Sequence, residues 1–182
     1  MTEFDPFNQP RAPRPTHPAA LEEHELLKRC VIRKGRTSGP GGQHRNKVET
    51  HVSVTHEPTG LVGQAGERRS AEVNRKVAIR RLRLALATEH RATVPEGEIR
   101  SDLWRSRVRG GKIACNPRHA DYPAMLAEAM DVLAACAHDP KKAALRLGCS
   151  ASQLVKLIGQ PPPALAAVNA ARQARGDRPL RS

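Results

Sequence analysis

The stretch "GRTSGPGGQHRNKVET", Gly35 to Thr50, puts four glycines and a proline into the eight residues from Gly35 to Gly42 and follows the last glycine pair with Gln43. Glycines at 35, 39, 41 and 42 describe a backbone that either bends or comes close to something. Arg33, Lys34, Arg36, Arg45 and Lys47 around them say that the something is negatively charged. Two familiar phosphate loops do not fit. For a dinucleotide fingerprint started at Gly39 the third glycine falls on His44, with no clean apolar strand ahead of it. A Walker loop would have to close on Gly-Lys-Ser/Thr, and none does. What remains is a loop ending in Gly-Gly-Gln and running into "HRNK".

The elements that would carry this loop are short. "PAALEEHELLKR" reads as a helix with Leu21, Leu26 and Leu27 on its apolar side, and "CVIRK" as a strand stopped by Gly35. After the loop, Val48, Val52 and Val54 recur at the even spacing of a strand face, Pro58-Thr59-Gly60 is a turn, and "LVGQAG" is the returning strand. Ser70 is the N-cap of a long helix through "AEVNRKVAIRRLRLALATEH". Val73, Val77, Leu82, Leu84 and Leu86 are its expected core face. Arg75, Lys76, Arg80, Arg81 and Arg83 make its other side basic, either as a solvated face or as an RNA contact. The unit is α+β, a few-stranded mixed sheet with one long helix packed on it.

Beyond it, residues 93–120 have linker character, rich in Pro, Gly and cations such as Arg100, Arg105, Arg107, Arg109 and Lys112. From residue 121 the composition turns to Ala and Leu. "PAMLAEAMDVLAACA" is expected as an amphipathic helix with Met125, Ala129, Val132 and Leu133 in one stripe. Asp139-Pro140 starts another helix, Gly148 breaks it and Ser150 recaps a third, which is helix-turn-helix spacing. Ser152, Gln153 and Lys156 are the only polar groups expected to face outward from that third helix, thin equipment for reading bases. The tail adds Arg172, Arg175, Arg178 and Arg181. The expected division is a Pro-rich N-terminus at 1–18, the α+β unit at 19–92, the basic linker at 93–120 and an all-α helical module at 121–182.

Composition limits the function. The chain has 182 residues, and 31 Lys+Arg against 18 Asp+Glu leave a net charge of +13, the footprint of a protein that meets phosphate. Aromatics are limited to Phe4, Phe7, Trp104 and Tyr122, which argues against a surface that stacks unpaired bases. Cys30, Cys115, Cys136 and Cys149 stand far apart with no C-x-x-C or paired histidines, so no zinc site is expected. No run approaches the roughly 18 apolar residues of a membrane span. With no secretory signal pattern, a cytoplasmic setting is expected.

The string from Cys30 to Glu89 resembles the catalytic GGQ domain of class I peptide chain release factors, and equally that of their short relatives that rescue stalled ribosomes. The resemblance rests on "SGPGGQH", Asn46, "THEPTG" and "ERRSAEVNRKVA" in that order. Pro40 stands where many members have alanine, and Arg45 where valine is common. The resemblance implies a peptidyl-tRNA hydrolase acting in the ribosomal peptidyl-transferase centre, with Gly41, Gly42 and Gln43 catalytic. Gly41 and Gly42 would let the backbone approach RNA, and Gln43 would offer its N–H to the developing oxyanion while its side chain places the water. Arg36, His44, Arg45, Asn46, Lys47, Arg68, Arg69, Arg75, Lys76 and Arg80 would contact RNA. The implied partners are large-subunit rRNA and P-site peptidyl-tRNA, with no cofactor, metal or membrane, and the helical module is a candidate contact for a protein partner.

Codon-reading members carry a separate domain ahead of the catalytic one, whereas 29 residues precede Cys30 here, so codon-independent rescue is the expected branch. Rescue relatives commonly end in a dense basic tail, and this chain has a helical module in that place. Two other readings stand beside it, a non-catalytic ribosome- or RNA-binding factor and a helix-turn-helix DNA-binding regulator.

Overall fold

The computed structural model describes residues 16–36 and 49–181. A 3-10 turn at Pro18–Ala20 leads into α1 (Glu23–Leu27), followed by strands β1 (Cys30–Gly35), β2 (His51–His56) and β3 (Val62–Ala65), then helix α2 (Ala71–Glu89). The three strands pair in the order β1-β2-β3, with Ile32 opposite Val54 and Val54 opposite Gly63. The α+β class is as expected, and the sheet is antiparallel throughout where a mixed one was expected. A four-residue turn, Glu57 to Gly60, can only return the chain antiparallel, since a parallel pair needs a crossover of a dozen residues or more.

One face of the sheet is built by Val52, Val54, Gly63 and Ala65, all buried, and α2 covers it. Contact is closest at Gly63, where an added Cβ would lie 2.1 Å from Ala78 O and 2.3 Å from Leu82 N. Ser70 caps α2 as expected, its Oγ accepting from Val73 N. The core stripe, however, is Asn74, Ala78, Ile79, Leu82 and Leu86, and Val73 is exposed. The sheet meets the helix along the 74-78-82 line, so Val73 falls off the contact by one position.

Residues 93–120 contain α3 (Asp102–Arg107) and a hairpin of β4 (Val108–Arg109) and β5 (Lys112–Ile113). Trp104 is fully buried, with Nε1 donating to Leu147 O at 2.8 Å, and Ile99 is buried as well. The helical part comprises α4 (Tyr122–Ala135), α5 (Pro140–Leu147), α6 (Ala151–Gly159) and α7 (Pro162–Gln173).

Helix α4 is not the one-sided helix expected from its stripe. Every residue from Met125 to Leu133 is buried, because α2 packs on one side of it and α5 and α6 on the other. Its two buried carboxylates face the preceding segment. Glu128 accepts from Ser101 N (2.8 Å) and Ser101 Oγ (2.5 Å), and Asp131 accepts from Ala92 N (3.0 Å). Carboxylates can be buried here because backbone donors meet them. A single apolar core runs from Ala19 through α2 and α4 to Val168 in α7.

Helix α7 adds a further helix to the expected helical module and runs into the first residues of the basic tail. Its end is closed by Asn169, whose amide pairs with both Leu180 O (3.1 Å) and Leu180 N (2.7 Å). Arg172 is drawn into the fold through His138 O (2.6 Å) and Arg178 O (2.8 Å).

Candidate functional site

Gly35 and His51 form the last pairing between β1 and β2, and residues 36–50 join the two strands in sequence. Gly41, Gly42, Gln43, His44, Arg45, Asn46 and Lys47 lie outside the described residues. The structure shows how their two anchors are held. Arg36 leaves β1 exposed, with Nε 4.0 Å from Glu49 Oε1 on the returning side.

Behind these anchors sits Asn74, fully buried on the first turns of α2. Its Nδ2 donates to Thr50 O (2.6 Å) and Arg68 O (2.8 Å), and its Oδ1 accepts from Arg68 N (3.0 Å). An amide carries both donors and an acceptor, so this one side chain binds the Arg68 backbone as a strand neighbour would and also fixes the entry to β2. The turn carrying Arg68 and Arg69, both exposed, is thereby held beside the ends of the 37–48 segment. With exposed Arg33 and Lys34 on β1 and Arg36 just past it, this end of the sheet presents five cations. Glu67 is turned away from them by Arg81 at 2.6 Å, and that hydrogen bond holds its carboxyl below the usual carboxylate range.

The expected RNA contacts therefore fall into two groups. Arg36, Arg68 and Arg69 stand at the base of the segment. Arg75, Lys76 and Arg80 lie further along α2, where most cations have work inside the fold. Arg75 meets Glu23 at 3.3 Å, and Arg80 donates to His119 O at 3.2 Å and to Pro117 O. Arg81 also donates to Gln64 O (2.7 Å), and Arg83 to Ala19 O (2.8 Å). Lys76 is exposed at a cleft of about 560 Å³ that it shares with Arg80, Arg83, Glu22, Glu23 and Asp121.

Sequence reasoning missed Asn74. The available signal was a polar amide on the stripe that continues as Ala78, Leu82 and Leu86. The carbonyl partners of the α2 arginines could not be read, since they belong to residues distant in the chain.

The helix-turn-helix spacing forms as expected. Asp139 Oδ1 accepts from Lys141 N (2.8 Å), Gly148 has φ 65°, and Ser150 Oγ accepts from Gln153 N (3.2 Å). The start of α6 is then covered by the β4–β5 hairpin. Ser150 N donates to Gly111 O at 3.0 Å, and Gln153 Oε1 accepts from Ile113 N at 3.3 Å. A reading helix presents its N-terminal residues to a groove, and here the hairpin stands in that position.

Among the described residues no group of three or more His, Cys, Asp or Glu could hold a metal ion, and no helix is long and apolar enough to cross a membrane.

A family model described as the RF-1 domain matches residues 25–109. The chain is 47% identical over 88 residues to peptide chain release factor 1 of Acidiphilium cryptum and 40% identical over 88 residues to that of Chlorobaculum tepidum, in each case covering 48% of this chain and 24% of the relative. It is 39% identical over 82 residues to peptide chain release factor 2 of Neisseria gonorrhoeae strain NCCP11945, covering 41% of this chain and 22% of the relative. The chain thus spans about a quarter of the length of the curated relatives it matches.

Proposed function

We propose that this chain, whose residues 25–109 match the RF-1 domain of class I peptide chain release factors, hydrolyses the ester between nascent peptide and tRNA on the ribosome without reading a codon. The observation that carries the reading is the unbroken Gly41-Gly42-Gln43 string, set between two paired strands, with Asn74 fixing the entry to the second and the Arg68–Arg69 turn beside it. Water adds to the ester carbonyl, the bond to the ribose oxygen breaks, and the proton ends on that oxygen. Gly41 and Gly42 admit the backbone to an RNA-walled centre, and the Gln43 N–H donates to the oxyanion. Arg33, Lys34, Arg36, Arg68 and Arg69 hold this end against rRNA phosphate, with Lys76 flanking it. The working place is the cytoplasm.

The segment that follows the RF-1 match offers little to read a codon with. It is a helical unit packed on the back of α2, and the outward polar groups of its α6 reduce to Ser152 and Lys156 once Gln153 is held by the hairpin. The same hairpin speaks against the DNA-regulator reading.

The test is peptide release from purified ribosomes carrying peptidyl-tRNA, on truncated mRNA and on mRNA with a stop codon. Release on truncated complexes without preference for the stop codon is expected. Gln43→Pro, which removes the N–H, is expected to lose about 10²–10³ in rate and to be worse than Gln43→Ala. Gly42→Ala is expected to be inactive. Equal rates for the two Gln43 variants would remove the backbone role. Ribosome binding with no release from either complex would establish the non-catalytic factor instead.

A further inference from the structure

We propose that the β4–β5 hairpin and the adjoining side of α6 form a second surface, separate from the 37–48 end, that binds the phosphate backbone of structured RNA through Arg109, Lys112 and Lys156. The first observation is a conflict built into the hairpin. Arg109 and Lys112 are directly opposed across the two strands, and like charges so placed destabilise the pair. Both side chains are exposed, while Val108 and Ile113 on the other face are half-buried against the core. Gly110 (φ 53°) and Gly111 (φ 74°) supply the two left-handed positions that so tight a hairpin requires.

The second observation is rigidity. Gly111 bridges to Cys149, its carbonyl accepts from Ser150 N, and Ile113 N donates to Gln153 Oε1. Lys156, exposed and one turn beyond Gln153, lines with it the groove beside Ile113 and Cys115. The third is selective neutralisation. In the same part of the chain Arg100 pairs with Glu98, Arg105 with Asp102 and Arg107 with Asp121. Among the described residues no carboxylate forms an ion pair with Arg109, Lys112 or Lys156. Three cations are thus fixed on a firm frame and left uncompensated.

The occupant follows from the chemistry. Trp104 and Tyr122 are buried, so this surface offers no ring for stacking bases and meets backbone phosphate alone. The choice of RNA over DNA rests on the release-factor reading. The RF-1 match ends at Arg109, and Lys112 and Lys156 lie beyond it, so the surface straddles the end of that match.

The test uses the full chain with a short RNA duplex and a DNA duplex of the same sequence, titrated with salt. The variants are Lys112→Glu and the double change Arg109→Ala/Lys112→Ala. For the double variant, RNA affinity is expected to fall about ten-fold and the salt slope by about 2, near 0.9 for each phosphate that is no longer neutralised. Lys112→Glu is expected to lose at least as much affinity while its Tm stays level or rises, because the opposed pair becomes attractive. Affinity and slope unchanged from the native protein would overturn the surface. Equal affinity and equal losses on DNA would overturn its assignment to RNA. No peptidyl-tRNA is present, so the result reads the same whether or not the chain hydrolyses the ester.

Discussion

Asn74 shows how much of the site depends on a single amide. Replacing it by alanine leaves Thr50 O, Arg68 O and Arg68 N without the partners they have in the fold. A buried polar group so stranded typically destabilises by about 1–3 kcal/mol. Asn74→Asp keeps the acceptor for Arg68 N and loses both donations. Both variants are expected to unfold at lower urea. Measured well below the unfolding transition, both are also expected to release peptide with a reduced kcat and nearly unchanged ribosome affinity, since the cations remain while the segment's ends are no longer fixed. A variant that loses stability yet keeps its kcat would confine Asn74 to a structural role.

At the scale of elements, the sheet and α2 are brought together by the absence of a side chain at Gly63. The neighbours of an added Cβ would be the Ala78 and Leu82 backbones, which no rotamer change can move. Gly63→Ala must push the helix off the sheet, and a loss of about 3 kcal/mol in urea unfolding is expected. Gly60 is the contrasting case. Its φ is +70° but nothing lies within 4 Å of an added Cβ. Gly60→Ala should therefore show only the strain of a left-handed residue, about 1–2 kcal/mol. Equal losses at the two positions would mean that the close approach at Gly63 does not limit the packing.

At the scale of the whole molecule, the arginines of α2 act as staples. Arg75 reaches the first helix, Arg80 the 117–119 turn just ahead of α4 and Arg83 the N-terminal 3-10 turn, while the packing of α2 on α4 joins the helical part to the RF-1 unit through a common core. That core also carries a pH response. His56 is buried with Nε2 unpaired, and burial, with Arg29 and His90 nearby, lowers its pKa. Burial does the same to His138, helped by Arg91, Arg175 and Arg172. Both rings therefore take up protons less readily in the folded chain than in the unfolded one, which does so near the ordinary value of about 6.5. The unfolded state then binds more protons, so stability is full above that value and falls as the pH drops below it. Tm is expected to decline between about pH 7.5 and 5.5, and His56→Gln should flatten part of the decline. An unchanged slope in that variant would take His56 out of the response.

The sequence by itself determined what short-range chemistry decides. The Gly41-Gly42-Gln43 string, the Ser70, Asp139 and Ser150 caps and the break at Gly148 were legible, because a cap is a side chain bonding a backbone group two or three residues on. The alternation of Val52 and Val54 likewise marked a strand with one buried face. Tertiary structure alone decided which α2 cations remain free, which faces of α4 are covered and what Asn74 holds. Those outcomes depend on partners far along the chain: Asn74 meets Thr50 across 24 residues, Trp104 meets Leu147 across 43 and Arg83 meets Ala19 across 64. A side chain's type says which bonds it can form, and only the folded backbone brings one acceptor rather than another within about 3 Å of it.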